Sequence, residues 1–510
     1  MTTTDGFASF EGELVGFDGT LFTIETSVGA LTIPADEVVC TGAGCPEGTG
    51  AALAASPAPP APPSILEEED TSGPARLTVQ AETPALASFV RALAAAYAAE
   101  TGAALNSERT ERGSDLMRIA AGEAAFDLEI AAATASGQAF ATPDVLLRAQ
   151  PSGALSSSAG AVVLGLDALV AVTAPDLPVA AIALADLARI YAGELTDWSQ
   201  LGGPSRPIVA LTGPEGSDWR ALVEAMVLEP AARTLSASAV AIESPDALPE
   251  ALARFPGGIG LALKTEVDAS GALALGGVCG PAVVPDAFAI ASGTYPLSRT
   301  IVAEPANPEA LNTGVEDFLD WAISPAGQAA IGRLAPGAPL AQKAHRGGGR
   351  ERATRLALAA EYGARAETAT AARTQAAAMV GTLLVSERLS TTLRFTPGTT
   401  APTLQAEGDL ARLAALLAEG SYDGAKVLLL GFDQSPGSAV DAQITRSRAL
   451  AETVLARLQA SAPDLERAHG IRFETRGFGP AAPLACVDAP SSATRNARVE
   501  VWLARGARAN

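Results

Sequence analysis

The chain has 510 residues, a formal charge of −22 and a pI near 4.6, and 48% of its residues are hydrophobic. That length predicts about three domains, and the acidic balance excludes nucleic acid as a partner for the surface at large. No run of about 18 uninterrupted apolar residues occurs, so no membrane-spanning helix is expected.

The chain opens with Met-Thr-Thr-Thr-Asp-Gly, which has neither the basic region nor the apolar core of a signal peptide; it fits a processed form or a cytoplasmic chain. Residues 1–46 alternate apolar and polar around Phe10, Leu14, Leu21, Ile24, Leu31 and Ile33, with turns at Asp18-Gly19 and Val28-Gly29. This predicts a small antiparallel β module of about four strands. Its role reads as packing or protein contact. Cys40 and Cys45 flank Thr-Gly-Ala-Gly, flexible enough to close a disulfide ring, whereas Cys279 and Cys486 stand alone. With His345 and His469 the only histidines, no metal cluster and no cofactor are expected. Residues 47–74, with the Ser56 to Pro63 proline run and the acids Glu67 to Asp70, are expected to be an extended linker.

Residues 75–345 form a large α/β domain, with a second lobe at about 177–258. Arg76 to Val79 predicts its first strand, and Leu86, Phe89, Val90, Leu93 and Tyr97 recur at helical spacing up to Gly102. The most informative stretch is Ala168 to Gly203. Leu169 to Val172 is an apolar run stopped by Pro175 and Pro178, a helix then runs to Tyr191-Ala192-Gly193, and Trp198-Ser199-Gln200-Leu201-Gly202-Gly203 follows. With Pro256-Gly257-Gly258 and the Phe318 to Gln328 segment, this order resembles type 2 periplasmic binding proteins, specifically the phosphate ABC-transporter substrate-binding family.

The resemblance implies a ligand cleft between two lobes, at strand ends and helix N-termini. It places Glu82 and Thr83 in the first loop, and Gly216, Ser217 and Asp218 where that family carries a Ser-Gly-Thr. Carboxylates there disfavour phosphate, since one like-charge pair at about 4 Å costs on the order of 4 kcal/mol at an effective dielectric near 20. A cationic or zwitterionic solute, or a cleft without a solute, is expected instead. Capping of helix N-termini is the alternative role for the acids, and for Asp218 the preferred one.

Residues 346–387 begin with Arg-Gly-Gly-Gly-Arg and continue into an Ala-rich helical stretch, read as a spacer. Residues 388–505 follow a βαβαβ order with a final strand. Gly431-Phe432-Asp433-Gln434, Asp441-x-x-Ile444-Thr445-x-x-Arg448-Ala449 and Asn496-Ala497-Arg498-Val499-Glu500 resemble the motifs of an OmpA-like peptidoglycan-binding domain. The resemblance implies that Arg448 takes the carboxylate, and an aspartate the ammonium, of a diaminopimelate stem peptide. Spacing from Gly431 places that acid at Gln434, and spacing from Arg448 places it at Asp433; Asp433 is preferred because it carries the charge. Asp441, Thr445, Asn496 and Arg498 complete the candidate set, with strand-edge hydrogen bonding as the alternative role for the last two.

The expected whole is a multidomain α/β protein: a small β module, a two-lobed periplasmic-binding-protein fold and an OmpA-like βαβαβ sandwich. The expected function is a solute-binding protein of the periplasm or outer cell envelope, tethered to peptidoglycan and serving a membrane transporter. The alternative is a structural envelope anchor whose binding-protein domain contacts protein. No Ser-His-Asp or Cys-His arrangement and no lysine-bearing phosphate loop is present, so an enzyme is not expected.

Overall fold

The structure is a computed structural model. It describes residues 2–3, 13–17, 21–26, 29–35, 38–40 and 45, and then 75–504 except 112, 121–124, 133–139, 152–159, 269–270, 278–279, 312, 335–338, 366–369, 435–437 and 486–494. The linker 47–74, Cys279 and Cys486 lie outside the described residues. The chain divides into two units, residues 1–73 and 74–510.

In the first unit, strands Glu13–Phe17, Leu21–Thr26 and Gly29–Pro34 form an antiparallel sheet, and Thr2–Thr3 pairs with Val38–Val39. Phe22, Ile24, Ile33, Val38 and Cys40 are its core. That is too little apolar surface for much independent stability, and a disulfide between Cys40 and Cys45 ties the end of the sheet to the next loop.

The second unit is built on a ten-stranded mixed sheet. Strand Val162–Thr173 is buried along nearly its whole length. Its first half pairs with Ser298–Pro305 and its second half with Gly258–Leu263. Leu164 therefore belongs to the first lobe's core, with Val79, Phe89, Tyr97, Phe126 and Phe318, while Leu166 to Val172 belong to the second's, with Tyr191, Trp198 and Leu261. One continuous apolar strand serves two cores, which explains why it shows no alternation. The tryptophan and glycines of the signature stretch have a packing reason. The Trp198 indole donates to Gly257 O at 3.0 Å, and a Cβ on Gly257 would lie 1.9 Å from Pro207 O. Gly193 and Gly202 adopt φ +76° and +78°, the left-handed turn that ends each short helix.

The C-terminal sheet has the order Ser386–Arg394, Arg498–Ala504, Lys426–Phe432, Arg472–Gly477. Helices Leu404–Ala418 and Val440–Ser461 cover one face. The Ala-rich stretch read as a spacer is two helices, Gly349–Arg365 and Thr370–Leu384, whose Leu358, Ala359, Met379 and Leu383 cover the other face against Leu428, Leu430, Phe432 and Trp502. A sheet of four strands needs both apolar faces covered, and this stretch supplies the second layer.

Helix Val440–Ser461 sits directly on glycine backbone. A Cβ on Gly431 would lie 1.8 Å from Ser447 O, and one on Gly477 would lie 2.6 Å from Arg448 N. Substituting Gly431→Ala is expected to lower stability by at least about 2 kcal/mol in chemical denaturation of the full chain. An unchanged midpoint contradicts this seating of the helix.

Candidate functional site

A cavity of about 980 Å³ opens between the two lobes, lined by Thr83 to Ala85 and Ser88 on one side and by Ser217, Asp218, Glu243, Asp246 and Lys264 to Asp268 on the other. Thr83 caps helix Pro84–Thr101, its hydroxyl accepting from Leu86 N at 3.3 Å. Ser217 caps helix Asp218–Val223, accepting from Arg220 N at 3.3 Å and donating to Pro214 O at 2.7 Å. The Ser217 hydroxyl proton is thus spent within the loop. Asp218 occupies that helix's first turn, where the dipole favours a carboxylate. Gly216, at φ +78°, makes the turn into the cap and does not line the cavity.

Glu82 is a correction to the sequence reading. It does not line the cavity: its Oε2 accepts from Ala149 N at 2.8 Å and lies 3.5 Å from the buried Arg299 guanidinium. The strand edge and Arg299 draw it away from the cleft. Among the described residues, the acids that line the cleft are Asp218, Glu243, Asp246, Glu266 and Asp268, with Lys264 the one cation against them. Behind them Asp167 accepts from Ala168 N and Thr265 Oγ1, each at 2.8 Å. Burial pushes the Asp167 pKa up to about 6, these hydrogen bonds opposing it. Burial, then the nearby Asp167 and Asp246, pushes Glu266 up to about 7. The sequence reading missed Glu243, Asp246, Glu266 and Asp268, because they reach the cleft from loops with no recognisable motif.

The second candidate site lies where strand Lys426–Phe432 ends and helix Val440–Ser461 begins. Asp433 is 3% exposed; its N–H donates to Gly479 O at 2.9 Å, and its Oδ2 lies 3.7 Å from Arg446 Nε. Burial of Asp433 overturns the expectation of a solvent-facing acid. Arg446, which the sequence reading missed, is two residues before Arg448, so the two leave the helix about 200° apart. They emerge on either side of the buried Ser447. Arg448 is exposed, and among the described residues no carboxylate lies within ion-pair distance of it. The fold thus brings Asp433 and Arg446 together, while Arg448 is exposed on another side of the same helix turn. Asp441 and Thr445 are exposed one turn earlier, with Thr445 Oγ1 donating to Asp441 O at 2.9 Å.

Asn496 and Arg498 are corrections. Asn496 is 1% exposed and uses all four hydrogen-bonding positions inside the protein. It accepts from Leu484 N and Ala485 N, and donates to Ala485 O and to Gln434 Oε1. Gln434 is thereby committed to a loop-holding role. Arg498 is fully buried over the Phe432 ring, with Nε donating to Glu500 at 2.9 Å and Nη2 to Ala482 O at 2.9 Å. Neither presents a donor to a ligand. Among the described residues no group of three or more His, Cys, Asp or Glu could hold a metal, and no helix is long and apolar enough to cross a membrane.

A family model described as a PBP superfamily domain matches residues 68–326, half of the chain, and the chain belongs to that superfamily. Among solved structures it is similar to a putative phosphate ABC transporter substrate-binding protein with bound phosphate from Clostridium perfringens. That similarity has 17% identity and a TM-score of 0.37, covering 52% of this chain and 100% of the other. It is also similar to the cell wall anchor of the T6SS from Pseudomonas aeruginosa (22% identity, 24% of this chain and 82% of that one, TM-score 0.19). A third similarity is to the peptidoglycan-associated lipoprotein from Burkholderia pseudomallei (18% identity, 22% and 88%, TM-score 0.19). No curated protein sequence matches the chain.

The cleft acids set a pH dependence. The folded pKa of Glu266, about 7, lies above its ordinary 4.5, so the folded state holds this proton more tightly than the unfolded state. Its contribution is fully present below about 4.5 and lost as the pH rises to about 7. Glu266→Gln is expected to raise Tm relative to the parent increasingly across that window. A difference independent of pH contradicts the assignment.

Proposed function

We propose that this protein is a cell-envelope binding protein held at peptidoglycan by its OmpA-like C-terminal part. The observation that carries this reading is the junction of Asp433, Arg446 and Arg448 at the end of one strand and the start of the next helix. A buried carboxylate faces the Arg446 guanidinium, and on another side of the same helix turn the Arg448 guanidinium stands exposed, without a carboxylate partner among the described residues. This suits the zwitterionic end of a diaminopimelate stem peptide, whose carboxylate Arg448 takes and whose ammonium the acid side of the junction attracts. Asp441 and Thr445 border it. The two-lobed part offers its cleft to a cationic or zwitterionic solute for a membrane transporter. Its five lining carboxylates oppose an oxyanion, and the Ser217 hydroxyl has no proton left to donate. Those last two observations also favour a second reading, in which the cleft takes no solute and the two-lobed part is a structural element of the envelope anchor. Both readings place the protein in the periplasm or outer envelope.

Arg448→Ala is expected to abolish pull-down by purified sacculi while Tm stays within about 1 °C, because this exposed residue supports no core. Arg446→Ala should weaken pull-down and also lower Tm, since it removes a positive charge facing buried Asp433. A parent protein that ignores sacculi sinks the anchor reading.

Calorimetry with inorganic phosphate at neutral pH is expected to show no binding at micromolar concentrations. Sub-micromolar dissociation contradicts the electrostatic reading of the cleft.

A further inference from the structure

Five arginines converge where the C-terminal sheet meets the turn Ser292 to Thr294 of the two-lobed part. Arg355, Arg388 and Arg498 share two carboxylates, Glu351 and Glu500. Among the described residues, Arg394 and Arg495 hydrogen-bond to backbone carbonyls alone. Arg394 Nη2 donates to Ser292 O at 3.1 Å and to Gly293 O at 3.0 Å, and Arg495 Nη2 donates to Thr294 O at 3.2 Å. Asp409 and Glu500 act on Arg394 from a distance, and Asp409 is hydrogen-bonded to Arg412 at 2.8 Å.

Arg394 is 2% exposed, and among the described residues its Nε and Nη1 have no partner. Its guanidinium lies against Gly293, where a Cβ would come within 2.6 Å of Nη2, so backbone closes one side. An uncompensated buried charge is strongly unfavourable, and two bonds to carbonyls do not offset it. Burial, then the neighbouring Arg495 and Arg388, pushes the Arg394 pKa down to about 9, which still leaves the group charged at neutral pH.

We propose that a small inorganic anion of chloride size binds against the unpartnered Nε–H and Nη1–H groups of Arg394, inside the junction between the two-lobed part and the C-terminal sheet. A monovalent ion balances the Arg394 guanidinium, two of whose nitrogens have no hydrogen-bond partner among the described residues. Near-complete burial of Arg394 excludes anions with an organic tail. The site sits next to the hinge. The residues around the turn, Ala289, Ile290, Tyr295 and Leu297, belong to the second lobe's core, and Tyr295 Oη donates to Leu169 O of the strand that crosses between lobes. The bound anion therefore ties the C-terminal part to the segment on which lobe movement turns.

The test measures thermal unfolding of the full chain while sodium chloride replaces sodium glutamate at constant ionic strength. Tm is expected to rise by about 2–4 °C and saturate, and Arg394→Gln is expected to remove the dependence. Crystals of the parent protein soaked in sodium bromide should show an anomalous peak within hydrogen-bonding distance of Arg394 Nε or Nη1, a result that does not need the variant to fold. A Tm indifferent to the anion overturns the proposal, and a bromide peak without the Tm dependence marks an adventitious ion and overturns it too. A carboxylate of this chain filling the place, with no bromide, does the same.

Discussion

The second unit depends on one buried carboxylate. Glu500 is fully buried on strand Arg498–Ala504, and burial by itself raises its pKa. Arg355, Arg388 and Arg498 outweigh that effect and hold Glu500 well below the usual carboxylate range. Each arginine comes from a different place: Arg355 from helix Gly349–Arg365, Arg388 from strand Ser386–Arg394, and Arg498 from the strand of Glu500 itself. Arg355 and Arg388 also reach Thr294 Oγ1. None of these charges is tolerable alone in the interior, so the sheet, its covering helix and the hinge turn form as one assembly. Hydrophobic replacement of such a cluster can be neutral, but loss of a single member leaves a bare charge.

The same constraint explains why the two-lobed part and the C-terminal part share one contact unit. Strand Ser386–Arg394 also receives Gly347 N–H at Arg388 O and gives Ser390 N–H to His345 O. The segment leaving the two-lobed part is therefore stitched to the first strand of the next sheet. The sequence reads this point as a flexible joint leading into a spacer, and the hydrogen bonds make it a junction.

The two candidate sites differ in how their charges are managed. In the cleft, the Ser217 hydroxyl proton goes to Pro214 O, and among the described residues acids accumulate around Lys264. Burial raises the pKa values of Asp167 and Glu266, with repulsion from Asp167 and Asp246 adding to the rise of Glu266, which costs stability near neutral pH. At the strand–helix junction one acid is paired and buried, and an exposed arginine carries the free charge. The first arrangement repels oxyanions, and the second leaves a cation displayed on an otherwise acidic protein.

Periodicity and punctuation in the sequence determined the order of the elements. Pro175, Pro178, Gly193 and Gly202 act through backbone geometry over a few residues, so their effect is local and legible. The same holds for the βαβαβ order and the pairing of Cys40 with its near neighbour Cys45. Only the tertiary structure decided which polar side chains face a ligand. Glu82 is claimed by Arg299, Asn496 by Leu484, Ala485 and Gln434, and Arg498 by Glu500 and Ala482, all through space. Arg446 gained its role because Gly431 and Gly477 let the helix settle onto the strands and present that side to Asp433. The Ala-rich stretch looked like a spacer because its partner surface, around Leu428, Leu430 and Trp502, lies far along the chain. A polar group's role depends on whether its donors and acceptors are already spent, and the groups that spend them are brought near by folding.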